Sequence, residues 1–484
     1  MNPLHGILPF AVHQFGLLVI GYFVVVNLFT ALLLVAATRN LRRFVLADKD
    51  EPRSRLLGSD VAPRISVLAP AYNEEATVVQ SVTALLTLRY PRLEVVVVND
   101  GSPDGTLEGL RTAFQLEPAP VVFRSRTRTA PVRGVYRSAT TPNLVVVDKE
   151  NGGKADALNA GLDLCSGELV CAIDADTLVE PDALLRMVRP FLSSPDLLAA
   201  GGTIRVVNDS VVRHGRVVQA RTPRSFLAGV QTVEYLRAFL FGRLGWNSLG
   251  GNLVVSGAFG LFDREAVLQA GGYLHGTVGE DIELVARLRA TAGPGSRHRI
   301  HFVADPVAWT EVPESLRVLG RQRDRWHRGL TDVLRRYRGS ILNPREGALG
   351  LVVYPYFLFV ELLAPAIEAV GLVGFAVGLA FGAVQPQFAL AFFLFAYGFS
   401  TLLSAYAVLL DQITFPRGAR RQDVALQLLW TLLEPLGYRQ VTVYWRLRGL
   451  VRQLRGNTQD WGVMTRRGFS GLETPDDRPT AQAL

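Results

Sequence analysis

Asp174 and Asp176 follow the apolar run Leu169 to Ile173, two residues apart. In extended chain that spacing turns both carboxylates to one side. Acids this close repel each other unless a cation lies between them, so the pair suits a hard divalent ion shared with phosphate oxygens. Asp-x-Asp is also common in plain loops, and it needs other residues beside it before it means chemistry. Val98-Asn99-Asp100-Gly101-Ser102 closes a second apolar run with an acid before a glycine turn. Asn151-Gly152-Gly153-Lys154-Ala155-Asp156 joins a glycine turn, a lysine and a helix start, a combination suited to phosphate contacts. It is not a P-loop, because the GxxxxGK[ST] spacing is absent. Gly279-Glu280-Asp281 sets two acids ahead of a helical run, where one can act as a base. Gln322-Arg323-Asp324-Arg325-Trp326 adds guanidinium groups able to hold a diphosphate and an indole face for stacking. Tyr72, Glu74 and Glu75 offer a ring and carboxylates to a nucleobase.

Each motif alone has a structural alternative. Asn73 and the acids after it fit a capped helix N-terminus, as does Asp281. Asp100 fits an ordinary strand-to-turn junction, Lys154 a surface lysine on a capped helix, and Trp326 an interfacial anchor. Only their joint order along one chain favours chemistry.

The elements that must position these residues are short β-branched runs followed by amphipathic stretches between about Arg64 and Trp309. ISVLAPA, LEVVVVND, NLVVVDK and ELVCAID are continuously apolar, the pattern of strands covered on both faces in a mostly parallel sheet. Ligands of such sheets sit at the strands' carboxyl ends. That places Asn73, Asp100, Lys154, Asp174 and Asp176 along one rim.

Outside this region the chain is apolar. Hydrophobic residues make up 49% and charged residues 19% of the 484. Phe15 to Ala37 carries no charge and is long enough to cross about 30 Å of hydrocarbon as a helix. It is too long for a cleaved signal segment, and no basic region precedes it. Further apolar segments run at about 349–382 and 388–410. A shorter one at 424–438 contains Glu434 and is followed by Arg439, which suits the interface better than a span. Three C-terminal spans would also place the basic tail outside, against the positive-inside pattern. Leu316, Leu319, Trp326, Leu330 and Val333 recur at helical spacing, predicting an amphipathic helix at the membrane surface. The net charge of +8 is concentrated in arginines flanking the apolar segments, which fits lipid headgroups rather than nucleic acid. Cys165 and Cys171 read as packing residues. Glu361, Glu368 and Glu434 lie in apolar surroundings and are expected to face protein or a wet path.

The ordered set Asp100, Asp174-x-Asp176, Glu280-Asp281 and Gln322-x-x-Arg325-Trp326 resembles the family 2 glycosyltransferases, in the membrane-bound processive branch that makes cellulose, chitin, hyaluronan and poly-N-acetylglucosamine. The resemblance covers about 64–338 and implies a GT-A-like, Rossmann-type mixed α/β sheet joined to a helical transmembrane region. It implies that Tyr72, Glu74, Asp100, Lys154 and Asp174 bind a nucleotide-diphosphate sugar, of UDP-hexose or UDP-N-acetylhexosamine type. Asp174 and Asp176 would hold Mg2+ or Mn2+, and Asp281 beside Glu280 would be the base of an inverting transfer. Gln322, Arg325 and Trp326 would grip the diphosphate and the glycan acceptor. Ser256 to Phe262 looks closer to the hexosamine-polymer synthases than to cellulose synthases. The family's Thr-Glu-Asp is Gly-Glu-Asp here, and the basic stretch Arg124 to Arg137 has no counterpart in this reading.

The expected domains are an N-terminal transmembrane helix (1–40), a cytoplasmic catalytic domain (64–312), an interface helix (313–345), C-terminal transmembrane or interfacial helices (349–450) and a cytoplasmic tail (451–484). The expected setting is a multi-pass protein of the cell membrane, with an oligomer or export partner as a further expectation. Two rivals stand beside polymer synthesis: addition of a single sugar to a lipid or short glycan, and a non-catalytic scaffold or export subunit.

Overall fold

The computed structural model describes residues 4–50, 62–121, 123–174, 177–213, 215–293, 300–382, 384–415 and 420–456. Asp176 and the tail from 457 onward lie outside these residues.

A ten-stranded mixed sheet forms the centre. Its strands are β1 (Ile65–Ala71), β2 (Leu93–Asp100), β3 (Leu116–Pro118), β4 (Val132–Ser138), β5 (Leu144–Lys149), β6 (Leu169–Ile173), β7 (Leu178–Val179), β8 (Ala199–Val206), β11 (Phe259–Asp263) and β12 (Ile300–Thr310), and β9 (Val211–Arg213) pairs with β10 (Arg216–Gln219) in a separate ribbon. The order across the sheet is β3-β4-β5-β2-β1-β6-β11-β8-β12-β7. β5, β2, β1 and β6 run parallel, so their carboxyl ends share one edge. β11 runs antiparallel to β6 and β8. The continuous apolar runs follow from burial on both sides. Val95 and Val97 enter one hydrophobic cluster, whereas Val96 and Val98 enter the other.

Nine of the helices position or flank the sheet's polar rim and the apolar region: α1 (Leu4–Asp50), α2 (Lys154–Leu164), α3 (Phe226–Tyr235), α4 (Glu280–Ala292), α5 (Leu316–Arg336), α6 (Ala364–Ala380), α7 (Phe399–Thr414), α8 (Arg421–Leu433) and α9 (Tyr438–Leu454). Within α1, Gln14–Leu46 is long and apolar enough to cross a membrane, as is Pro386–Thr414, which ends in α7. Leu349–Leu362 and α6 form a pair bent by 43°. The bend falls where Pro365 opens α6, a position at which proline starts a helix but cannot continue the preceding one. α8 has 13 residues, about 20 Å of helix, too short for about 30 Å of hydrocarbon. It packs on α3 instead, with Trp430 Nε1 donating to the Pro223 carbonyl at 3.0 Å.

α5 departs from the simple amphipathic reading. Leu319 and Val333 are buried, but Leu316 and Trp326 are exposed, and the polar Gln322, Arg323, Asp324, His327 and Arg328 are buried. The reason is α9, which docks along that polar face. Arg448 Nε donates to Asp324 Oδ1 at 3.0 Å, and Arg452 reaches the same oxygen at 3.3 Å. The arginines of α5 thus meet carboxylates inside the protein: Arg323 holds Glu234 at 2.7 Å and Arg328 holds Asp324 at 3.2 Å.

Candidate active site

β2 and β5 finish side by side, with Asp100 opposite Lys149 in register. Lys149 is fully buried, with Nζ 2.6 Å from both Asp100 Oδ1 and Asp156 Oδ1. Asp100 also accepts from the backbone of Gly152 at 3.0 Å and of Gly153 at 2.7 Å. Gly153 donates from a backbone at φ 87°, a conformation a side chain would strain. Asp100 therefore shapes the glycine turn, with both oxygens engaged and 3% of the residue exposed.

The turn delivers Lys154 to the first position of α2. Its Nζ meets Asp174 Oδ1 at 2.6 Å and Glu280 Oε1 at 3.1 Å. Burial pulls the Lys154 ammonium's pKa down, but Asp174, Glu280 and Asp281 together outweigh burial and raise it, so the group stays charged. Asp281, in the first turn of α4, accepts from Gly257 N at 3.0 Å and through its other oxygen from Ile282 N at 2.8 Å. Two backbone donors thus fix that carboxylate. Gly257 belongs to the segment Ser256 to Phe262, which leads into β11.

The loop before Asp281 rests on α5 through two glycines. A Cβ on Gly279 would lie 3.3 Å from the Gly329 Cα and 3.0 Å from an Ile282 methyl. The missing threonine of the Gly-Glu-Asp motif thus goes with a close approach between loop and helix.

A cavity of about 1140 Å³ joins these parts. Small-molecule sites run to roughly 1,000 Å³, so this one has room for more than a donor. Lys154, Asp174, Glu280 and Asp281 line it, with Gln322, Arg325 and Trp326 of α5. It continues past Tyr22 and Asn27 of α1 to Glu361, Glu368 and Glu434. Each of those glutamates meets an arginine: Glu361 with Arg446 at 3.5 Å, Glu368 with Arg439 at 2.9 Å and Glu434 with Arg237 at 2.9 Å.

Tyr72, Glu74 and Asp100 are not among the cavity's lining residues. Tyr72 is 51% exposed on the rim beyond β1, and Glu74 accepts from Thr77 Oγ1 at 2.7 Å. Asp174 is the described member of the Asp-x-Asp pair. Among the described residues no group of three His, Cys, Asp or Glu side chains forms a metal-holding cluster. The donor set still fits a hard cation, because Asp174, Glu280 and Asp281 all act on the single ammonium of Lys154.

Lys149, Arg243 and His327 lie outside the motifs read from the sequence, and Asp156 enters there only as part of the turn from Asn151. The lone signal for the first was a charged residue ending an otherwise apolar strand. His327 lines the cavity in a buried position; burial, then the neighbouring Arg446 charge, push it down to about 3, so it is neutral near pH 7. The basic stretch is partly structural: Arg126 forms a two-point salt bridge to Glu265 at 2.7 Å.

The mixed sheet with its polar rim at the strands' carboxyl ends is of GT-A-like fold, the fold of glycosyltransferases. The profile described as "Glycosyl transferase family group 2" matches residues 169–433, and "Glycosyl transferase family 2" matches 66–267. The chain belongs to the family 2 glycosyltransferases. It is 29% identical over 291 residues to a poly-beta-1,6-N-acetyl-D-glucosamine synthase of Staphylococcus aureus, covering 60% of each chain. To the synthase of that name from Staphylococcus epidermidis it is 29% identical over 311 residues, 63% of this chain and 65% of the relative. The match thus spans less than two thirds of either curated relative. Among solved structures, a mannosyltransferase from Pyrobaculum calidifontis, in complex with GDP-Man and Mn2+, superposes with a TM-score of 0.52 at 19% identity. That match covers 89% of this chain and 99% of the other, and the likeness is one of fold.

Proposed function

We propose that this protein is an inverting transferase that extends a β-linked polysaccharide from a UDP-sugar, of the N-acetylhexosamine class, at the cytoplasmic face of a membrane. The observation that carries the reading is the continuous cavity from Lys154 and Asp281 past Trp326 to the apolar helices. A cavity that size accommodates donor and acceptor together, and its far end lies where a growing chain would leave. The names of the staphylococcal relatives support the hexosamine class.

In this reading the nucleotide lies along the rim by Tyr72 and Glu74, over the turn that Asp100 shapes. Lys154 and Arg325 face the diphosphate and offset its charge as the bond to the anomeric carbon breaks. Asp281, oriented by Gly257 N and Ile282 N, accepts the proton of the acceptor hydroxyl, while Glu280 holds Lys154 in place. Trp326 and Gln322 seat the acceptor's terminal sugar. Asp174, with Asp176, would hold a magnesium or manganese ion, which when bound neutralises the leaving diphosphate.

The test is product size. Labelled UDP-N-acetylglucosamine, UDP-glucose and GDP-mannose are given separately to the protein in lipid nanodiscs, and products are resolved by length. Long chains from one UDP-hexosamine fit the proposal. Single additions from any donor refute polymerisation, and silence with all three refutes the choice of donor class.

A further inference from the structure

Arg243 stands out among the cavity's buried and half-buried arginines. Arg237, Arg323, Arg439 and Arg446 each hold a carboxylate. Arg243 lines the same cavity yet makes no hydrogen bond or ion pair to any described residue, and its Nη1 is buried without a partner. It stacks instead on Phe239, with the guanidinium carbon 3.9 Å from the ring centroid. Burial lowers it to about 10, and the Asp281 charge works against that lowering, which places it in the field of the base. Stacking fixes the plane of the guanidinium and leaves its N–H groups free, the state of an arginine arranged for an external oxygen.

Asn252 is the complementary feature. One helical turn after Arg243, Asn247 is locked by Phe302, accepting from its N–H at 2.9 Å and donating to its carbonyl at 2.7 Å. That two-point contact fixes the Asn247 amide, so its Oδ1 must accept from Asn252 Nδ2, at 2.6 Å. The Asn252 Oδ1 is left buried and without a partner among the described residues, on a residue that also lines the cavity. A free donor set on Arg243 and a free acceptor on Asn252 match an amide, which offers one carbonyl and one N–H. A carboxylate would meet the Asn252 oxygen and the charge of Asp281 unfavourably. The helical segment carrying both Arg243 and Asn247 packs on α1.

We propose that Arg243 and Asn252 form an acceptor-side subsite that takes the acetamido group of an N-acetylhexosamine on the growing chain. This rests on the glycosyl-transfer reading above. Arg243 N–H donates to the acetamido carbonyl, and the acetamido N–H donates to Asn252 Oδ1. The subsite selects N-acetylated acceptors and holds the terminal sugar in reach of Asp281.

The test is equilibrium binding in nanodiscs of a β-linked N-acetylglucosamine trimer and its de-N-acetylated counterpart, without donor. Wild-type protein is expected to bind the acetylated trimer about tenfold more tightly, roughly 1.4 kcal/mol. Arg243→Gln and Asn252→Leu should each reduce that ratio to about twofold, and Asn252→Asp, which keeps an acceptor oxygen, should retain more of it. Thermal melts check that each variant is folded, and Asn252→Leu carries the test if the Arg243 variant is not. Equal binding of the two trimers by wild type, or an unchanged ratio in the folded variants, overturns the subsite. Donor turnover on the same samples separates the two levels: turnover with equal trimer binding refutes the subsite alone, and no turnover with any donor removes the transfer reading and the subsite with it.

Discussion

Lys149 and Lys154 lie five residues apart, and each bridges two carboxylates, but the two bridges do different work. Lys149 joins Asp100 and Asp156 with no side-chain exposure, whereas Lys154 joins Asp174 and Glu280 with 18% exposed to the cavity. The first has every partner inside the protein and no route to a ligand. It ties β2, β5 and the start of α2 into one unit and so fixes the glycine turn. The second sits at the end of that turn, where the same ion-pair chemistry meets an open cavity with an excess of negative charge. Burial, rather than residue type, separates the lysine that holds the turn together from the lysine proposed to meet the donor.

The largest way to test this contrast is Lys149→Met. Removing one partner of a buried ion pair leaves two carboxylates uncompensated, a loss of about 3–5 kcal/mol. Folded yield of the variant should collapse, and full yield with normal melting would break the contrast. Lys154→Ala should keep the folded yield and lose about 100-fold in kcat/KM, the size expected for a single charge-stabilising contact. A loss of folding in Lys154→Ala, measured by size-exclusion profile, would put both lysines in the same class.

Gly329→Val sharpens the comparison at the other wall of the cavity. The added side chain must push α5 away from the Gly279 loop, whose backbone lies within van der Waals range. Turnover is expected to fall about tenfold with the acceptor KM rising more than the donor KM, because the proposed acceptor contacts Gln322 and Trp326 both lie on α5, whereas only Arg325 of the proposed donor contacts does.

His327 gives the smallest effect. Its folded pKa is depressed below its unfolded value of about 6.5, so the unfolded chain binds the extra proton as pH falls. Its stabilising contribution is complete above pH 6.5 and shrinks as pH falls toward 3. Between pH 6.5 and 5 the loss amounts to at most about 2 kcal/mol. Melting curves at pH 7 and pH 5 should show a larger drop for wild type than for His327→Gln; equal drops would contradict the buried neutral histidine.

Much of the catalytic half was legible in the sequence. Continuous valine runs gave the parallel strands, because a strand covered on both faces has no polar side to show. The polar residue closing each run located the rim, and Lys154, Asp174 and Asp281 do converge. Legibility stopped where partners are distant along the chain. Lys149 meets Asp100 across 49 residues, and no local pattern announces that pairing. The α5 pattern misled for a related reason. Its apolar spacing is real, but α9, more than 100 residues later, brings Arg448 and Arg452 to Asp324 and so buries the polar face. Arg243 went unnoticed because an arginine lacking a partner is defined by what surrounds it, and no spacing rule reports that.

The most direct measurement is nucleotide release by wild type and Asp281→Asn in nanodiscs, with magnesium or manganese and a panel of UDP- and GDP-sugars. The Asn side chain keeps the shape of the carboxylate and removes its capacity to take a proton. The account predicts release from one UDP-sugar by wild type and a fall of about 10³-fold in the variant, within the range of general-base catalysis. Equal release by the two proteins would contradict it.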